Sequence, residues 1–488
     1  MIRVLFVTSE VYPVIKTGGL ADVSASLPEA LCRQDHDVHI LLPGYPAALA
    51  AAKSAGTRRK AQLRIGFYPV TLWQTRLPDS AVALWLVECG PLFDRPGNPY
   101  QNEDGGDWWD NAHRYHLFAR VAAMMALGQA GLNWVPDVVH CNDWQTGLVP
   151  VLMDSCQKRP ATVFTIHNLA YQGLFSHEAF RALGLPDSLW RYDRLEFHGQ
   201  LSFIKGGLVF SDHLTTVSPG YAEEILQPPL GCGLDGLLRH RSPFLTGILN
   251  GIDTRQWDPE SDPYLIHHYG PDDLPNKRLC RADLQKQAGL GGSAEGPLLG
   301  FIGRMVEQKG IDLLLSVLPD FLDRGCQAVL LGSGMHEYEE AALELAEQYP
   351  GRLSVTLGYD EALAHRITAG ADIFIMPSRF EPCGLNQMYS LRYGTIPVVH
   401  GVGGLKDTVF DPDTTGMNRA NGFTFDKPEP GKLSAALDRA LAAFNRTKAW
   451  RQLQRNGMAG DYSWQTRARE YIDIYRQILA ARQSITDD

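Results

Sequence analysis

Short apolar runs alternate along this chain with stretches in which apolar residues return every three or four positions, a pattern that predicts strands and helices in turn. Residues 2–8 form an almost unbroken apolar run, as expected of a parallel strand covered on both faces. Leu20, Val23, Leu27 and Leu31 then recur at helical spacing, and 38–42 is a second apolar run closed by Pro43-Gly44. Together they predict a βαβ unit. Runs at 137–140, 161–166 and 213–217 continue the series and lead into Asp143-Trp144, His167-Asn168 and Ser218-Pro219. Residues 244–249 are closed by Asn250-Gly251. A stretch rich in Asp, Pro and Tyr follows to about Pro275 without clean periodicity, and the hinge between domains is expected there.

The second half restarts the pattern, with strands expected at 298–302, 328–331, 353–357, 372–376 and 396–399. Between the first two, residues 310–322 carry Ile311, Leu314, Leu315 and Leu318 on one helical face. The fold class expected is α/β, with two doubly wound Rossmann-like domains facing a central cleft, residues 1–248 and 249–463. A third segment, 464–488, has a helical stripe in Tyr471, Ile474, Tyr475 and Ile478 and is expected to pack back across the domain junction.

Composition narrows the class. The 488 residues are 44% hydrophobic and 20% charged, which excludes disordered and disulfide-stapled proteins. With 45 Lys+Arg against 55 Asp+Glu the formal net charge is −10, so nucleic acid and anionic membrane are not expected partners. An anionic ligand must then be held by a local cationic cluster. The eight cysteines lack any C-x-x-C spacing, so neither structural zinc nor a redox motif is expected. Thr8-Ser9-Glu10 ends the first apolar run too early for a secretory signal, and no run reaches the roughly 20 residues of a membrane helix. A cytoplasmic enzyme is expected.

Its chemistry should lie in loops at the carboxyl ends of the strands. Lys16-Thr17-Gly18-Gly19-Leu20 joins the first strand to the first helix, where backbone N–H groups and the helix dipole make either an anion site or a plain tight turn. It matches neither the dinucleotide nor the P-loop fingerprint. Arg304 and Lys309 follow the strand at 298–302 and suit a diphosphate whose charge grows as a bond breaks, unless they are two solvated cations. His167 should emerge at the end of its strand, unless it is a satisfied core histidine. Asp143 has the same placement and can equally cap the next helix. Ser378-Arg379-Phe380-Glu381-Pro382-Cys383-Gly384-Leu385 offers a carboxylate for sugar hydroxyls, and Val402-Gly403-Gly404-Leu405 makes a second loop rich in N–H groups.

These residues resemble one family, the bacterial glycogen synthases and plant starch synthases, which are retaining glycosyltransferases of the two-Rossmann GT-B type. The resemblance is carried by Lys16-Thr17-Gly18-Gly19-Leu20-Ala21-Asp22, His167-Asn168-Leu169-Ala170-Tyr171-Gln172-Gly173, Leu249-Asn250-Gly251-Ile252-Asp253 and Pro377-Ser378-Arg379-Phe380-Glu381-Pro382-Cys383-Gly384-Leu385. Four residues depart from its pattern. Asn386 and Val402 replace expected threonines, and Cys141-Asn142 precedes Asp143-Trp144. Tyr389 stands where many members of the wider superfamily carry a second acid, which favours this branch over sucrose-phosphate and trehalose-phosphate synthases.

The resemblance implies an ADP-glucose donor bound mainly by the second domain and a growing α-1,4-glucan along the first. It assigns Arg304 and Lys309 to the departing diphosphate, Glu381 to the glucose and His167 to the reacting sugar, with Asp143 lining the same pocket. Lys16, Gly18 and Gly19 would approach the nucleotide sugar, with Asp22 and Asn168 in the same motifs. Tyr359 would stack on adenine. Tyr100 and Asn250 would complete the cleft, and the backbone at Cys383, Gly384, Leu385, Gly403 and Gly404 would face the donor. No metal and no other cofactor enter this scheme. Its rivals are a transferase using UDP-glucose and a non-catalytic glucan-binding protein on the same scaffold.

Overall fold

Each of the two central sheets contains apolar strands that the sequence pattern singles out. The structure is a computed structural model describing residues 1–54, 57–291 and 296–487; Asp488, the end of the expected third segment, lies outside them. The chain divides into one unit of residues 1–251 with 464–488 and a second of 252–463.

In the first unit a nine-stranded sheet runs in the order Leu245–Gly247, His213–Thr216, Ala161–Ile166, Val138–Asn142, Arg3–Val7, Asp37–Pro43, Ala83–Glu88, Tyr68–Arg76 and Arg58–Ile65. The first seven are parallel and the last two antiparallel. Val4 to Val7 is fully buried, which is why it reads as an unbroken apolar run, and Val138 to Cys141 is fully buried as well, His140 included. Strand order reverses between Arg3–Val7 and Val138–Asn142, and ligands of such sheets bind outside the carboxyl ends at that point. A small three-stranded antiparallel sheet of Leu174–Phe175, Gln200–Ser202 and Glu196–Phe197 stands apart from it.

The second unit has six parallel strands in the order Leu353–Leu357, Gln327–Gly332, Leu298–Ile302, Ile373–Met376, Ile396–His400 and Phe423–Phe425. Numbered within the unit this is 3-2-1-4-5-6, the doubly wound order, and it reverses between Leu298–Ile302 and Ile373–Met376. Helix Ile311–Asp323 buries Ile311, Leu314, Val317, Leu318 and Phe321 against this sheet's core, with Leu315 partly buried beside them.

Two stretches complete the units. The aperiodic segment after Asn250 is not a bare hinge. From Ile252 it belongs to the second unit, where the buried Asp262 carboxylate accepts His365 Nδ1 at 2.7 Å, the Tyr393 hydroxyl at 2.7 Å and the Tyr264 N–H at 2.9 Å. Trp257 is stacked between His365 and Tyr389, with centroids 3.7 and 3.8 Å away. The last helix, Trp464–Asp487, belongs to the first unit. Its Tyr475 hydroxyl lies 2.7 Å from His140 Nδ1, and Arg482 pairs with Asp212 at 3.2 Å.

Candidate active site

At the reversal point of the second unit, two loops from neighbouring strands are locked together. Arg304 and Lys309 follow Leu298–Ile302, and Glu381 follows Ile373–Met376. Lys309 Nζ donates to Glu381 Oε2 at 2.5 Å, and the Ser378 hydroxyl donates to the same oxygen at 3.1 Å. The Glu381 side chain is 8% exposed and that of Lys309 23%, so the pair is partly shielded from water. Arg304 Nη2 reaches Gln308 Oε1 at 3.1 Å. Arg379 fastens the loops from outside, with a two-pronged contact to Asp312 at 2.8 and 2.7 Å and a third bond to the Glu307 carbonyl. Asn386, one of the residues that departs from the family pattern, donates its amide to the Ile302 carbonyl at 2.9 Å. It thus ties one loop to the foot of the other.

Two glycines make this approach possible. Gly310 begins the helix at φ +68°, and a Cβ there would stand 2.1 Å from the Pro377 carbonyl oxygen. Gly403, at φ +45°, would put a Cβ 2.0 Å from the Glu381 carbonyl oxygen. The Gly403-Gly404 turn is itself tied to this backbone. The Gly404 N–H is shared between the Glu381 and Pro382 carbonyls at 3.2 and 3.3 Å, and the Leu405 N–H bonds the Val402 carbonyl at 3.0 Å. The Gly404 amide thus holds the turn against the backbone at Glu381 and Pro382. Cys383 and Gly384 are fixed by the Gln387 amide through their carbonyls at 3.1 and 3.0 Å, and the Cys383 side chain is buried. Leu385 starts helix Asn386–Arg392. Tyr359 follows Leu353–Leu357, two strands away from Leu298–Ile302, and is 67% exposed.

The first unit gathers a second group at its own reversal point. Lys16 Nζ pairs with Asp22 at 2.9 Å. Part of the Thr17-Gly18-Gly19 loop is bonded by the protein itself. Buried Glu10 accepts the Thr17 N–H and hydroxyl, each at 2.5 Å, and the Gly18 N–H at 3.2 Å. The Tyr100 hydroxyl donates to Glu10 at 2.5 Å and accepts from the Ser9 hydroxyl at 2.8 Å. Glu10 is absent from the sequence-derived candidates; the one signal for it is a carboxylate at the carboxyl end of the first strand.

Asp143 sits at φ +55° and does not cap the turn that follows. Its Oδ1 instead accepts the His167 N–H at 2.7 Å and the Asn168 N–H at 3.4 Å, joining the two loops predicted to carry chemistry. Burial pushes its carboxyl up to about 7, against the lowering effect of those two bonds. Asn142 fixes the state of His167. Its Nδ2 donates to the Val7 carbonyl at 3.0 Å, so its Oδ1, 2.9 Å from His167 Nε2, must accept, and Nε2 carries the proton. Burial lowers His167 to about 3, so the ring is neutral and its Nδ1 is an acceptor. The Asn168 side chain accepts the Ala170 N–H. Trp144 packs edge-on to Tyr115 at 5.0 Å and lies 6.3 Å from Tyr100, linking the Asp143 loop to Glu10. Asn250 is buried, and its Oδ1 has no hydrogen-bond partner among the described residues.

Comparison with known proteins shows the family. Residues 3–240 match the starch synthase catalytic domain model, and 285–456 match glycosyl transferases group 1. A glycogen synthase from Marinobacter nauticus is 67% identical over 100% of both chains. The chain belongs to the glycogen and starch synthase family. It is a glycosyltransferase. A glycogen synthase from Cellvibrio japonicus is 56% identical over 98% of this chain and 100% of its own. The catalytic domain of starch synthase IV from Arabidopsis thaliana, solved with ADP and acarbose, superposes with a TM-score of 0.88 at 34% identity, covering 98% and 99% of the two chains. Within this GT-B fold the sequence-derived residues fall into two groups. Arg304, Lys309, Glu381 and Cys383 to Leu385 lie around one reversal point, with Gly403 and Gly404 opening the helix that follows the adjoining strand Ile396–His400. Lys16 to Asp22, Tyr100, Asp143, His167 and Asn168 lie around the other. None of the eight cysteines is in a disulfide, and no described helix is long and apolar enough to cross a membrane.

Proposed function

We propose that the protein transfers glucose from ADP-glucose to the non-reducing end of an α-1,4-glucan with retention of configuration. The observation that carries this reading is the Lys309–Glu381 pair at the reversal point of the second unit's sheet. A lysine ammonium has three donors, so Lys309 can keep Glu381 and still meet a diphosphate oxygen. Arg304 adds a planar, permanently charged fork. The charge of a departing ADP grows as the glycosidic bond lengthens, so fixed cations lower the barrier more than they tighten substrate binding. Glu381, held by Lys309 and Ser378, would orient the glucose and face the positive charge at its reacting carbon. Exposed Tyr359 would stack on adenine, and the unpartnered Asn250 oxygen would accept a donor hydroxyl.

In the first unit, neutral His167 would accept a sugar hydroxyl proton at Nδ1, beside Asp143. Glu10 would keep the Lys16–Gly19 loop in the shape its partners need. The glucan would lie along this unit. The eight thiols outside disulfides support a reducing cytoplasm as the compartment. Radiolabel transfer into glycogen from ADP-glucose and from UDP-glucose, in parallel, tests the donor. Faster incorporation from ADP-glucose is expected, and a preference for UDP-glucose would overturn the assignment.

A further inference from the structure

Gln387 is fully buried, yet only one end of its side-chain amide is used. Nε2 donates to the Cys383 carbonyl at 3.1 Å, the Gly384 carbonyl at 3.0 Å and the Thr408 hydroxyl at 3.2 Å. Oε1 is buried with no hydrogen-bond partner among the described residues. The neighbours fix which end is the nitrogen, because two are carbonyls and Thr408 gives its own hydrogen to the Gly404 carbonyl at 2.7 Å. An orphaned buried oxygen costs free energy that an apolar side chain of the same shape would avoid. What the amide supplies is therefore its donors, and they are aimed chiefly at one turn.

That turn, Cys383-Gly384-Leu385, follows Glu381 and leads into helix Asn386–Arg392. Its peptide bonds are trans, so each C=O points away from the N–H of the next residue. The carbonyls of Cys383 and Gly384 converge on Gln387 from one side. The N–H groups of Gly384 and Leu385 consequently leave on the other. Gln387 is on the buried side, whereas Gly384 and Leu385 are half-buried. Among the described residues neither of these N–H groups has a hydrogen-bond partner. In the first unit, by contrast, the Gly18 N–H is taken by Glu10.

We infer that Gln387 is a positioning residue for the departing diphosphate: its amide turns the Cys383–Leu385 peptides so that the Gly384 and Leu385 N–H groups face that anion. This rests on the reading that the donor is a nucleoside diphosphate sugar. N–H groups fixed before the bond breaks need no reorganisation as charge develops on the leaving oxygen. A turn centred on glycine and left unheld would lose that alignment to rotation.

The test compares full-length wild type with Gln387→Met and Gln387→Glu, reading the dissociation constant of ADP by calorimetry without glucan. Gln387→Met keeps the length and removes the donors. It should weaken ADP binding by at least roughly ten-fold, the scale of one hydrogen bond to a charged group. Gln387→Glu should weaken it as much at about pH 8, where an ionised carboxylate would face the two carbonyls. Burial raises such a carboxyl, and once protonated it donates one hydrogen, so the loss should shrink as the pH falls towards about 5.5. Glu381, Lys309, Cys383 and the diphosphate itself titrate in all three proteins and cancel when each variant is divided by wild type. Wild-type affinity in Gln387→Met would overturn the inference, as would a loss in Gln387→Glu that is equal at both pH values, the mark of packing alone. Hydrogen exchange of the wild type decides the matter if the variants do not fold: ADP should slow the Gly384 and Leu385 amides, and unchanged exchange would overturn the inference too. If the wild type binds UDP more tightly than ADP, the donor assignment fails, and the same comparisons made with UDP decide the role of Gln387.

Discussion

Glu10 and Thr17 are joined twice, the carboxylate taking both the N–H and the hydroxyl of Thr17 at 2.5 Å. A loop whose glycines advertise an anion site is thus supplied with its anion by the chain. The carboxylate satisfies amides that would otherwise be unpaired before the first helix, and it fixes the geometry of Lys16 and Gly18. Glu10→Gln keeps the shape but removes the charge from an acceptor of four bonds. It should lower stability by about 1–3 kcal/mol. Urea unfolding of the two proteins measures this, and coincident midpoints would mean that the carboxylate is not what holds the loop.

Lys309→Ala and Arg304→Ala should each reduce turnover by at least roughly 10²-fold, the scale of losing one preorganised electrostatic stabiliser. Because Lys309 partly shields Glu381, its removal should also lower the melting temperature, which Arg304→Ala should do far less. Initial rates on variants with native circular dichroism separate the two effects. Near-normal turnover in either folded variant contradicts the clamp.

Gly403→Ala tests whether backbone contact, and not loop amides, is the contribution of the Gly403-Gly404 turn. The added Cβ would stand 2.0 Å from the Glu381 carbonyl oxygen at a φ of +45°. Either that carbonyl or the turn must move. A shift of Glu381 by about 1 Å should cost on the order of 10²-fold in kcat. Full activity in this variant would show that Glu381 does not depend on the turn.

Burial raises Asp143 to about 7, so the folded chain binds a proton there that the unfolded chain has released above about 4. The stability associated with the neutral carboxyl is present below about pH 4 and is lost as pH rises through 7. Asp143→Asn cannot lose it. Its stability relative to wild type should therefore climb between about pH 4 and 7, by at most about 1.4 kcal/mol per unit, and level off above that. His167, lowered to about 3, works in the opposite sense in both proteins and drops out of the difference. Urea midpoints of the pair across this range give the answer. A flat difference would contradict the raised value.

Most parallel strands were legible because burial on both faces leaves no polar alternation, as Arg3–Val7 and Leu298–Ile302 show, whereas Ala83–Glu88 and Phe423–Phe425 went unread. The antiparallel pair Arg58–Ile65 and Tyr68–Arg76 went unread. Its alternation is half-polar, and only Gly66-Phe67 marks the turn between its strands. Residues 252–275 read as a linker because their order comes from contacts distant in sequence, Asp262 with His365 and Tyr393. The same limit applies to the site. Lys309 and Glu381 could each be nominated from a motif, but their contact spans 72 residues. Glu10 carried no motif at all. Its role appears only when Tyr100, ninety residues on, returns to it.

The central claim is tested most directly by a proton NMR time course of the wild-type enzyme with ADP-glucose and maltotriose. The account predicts that the donor's anomeric signal declines as a new α-1,4 signal grows in equal amount at the non-reducing end. Conversion of ADP-glucose to free glucose, or a β-linked product, would contradict it.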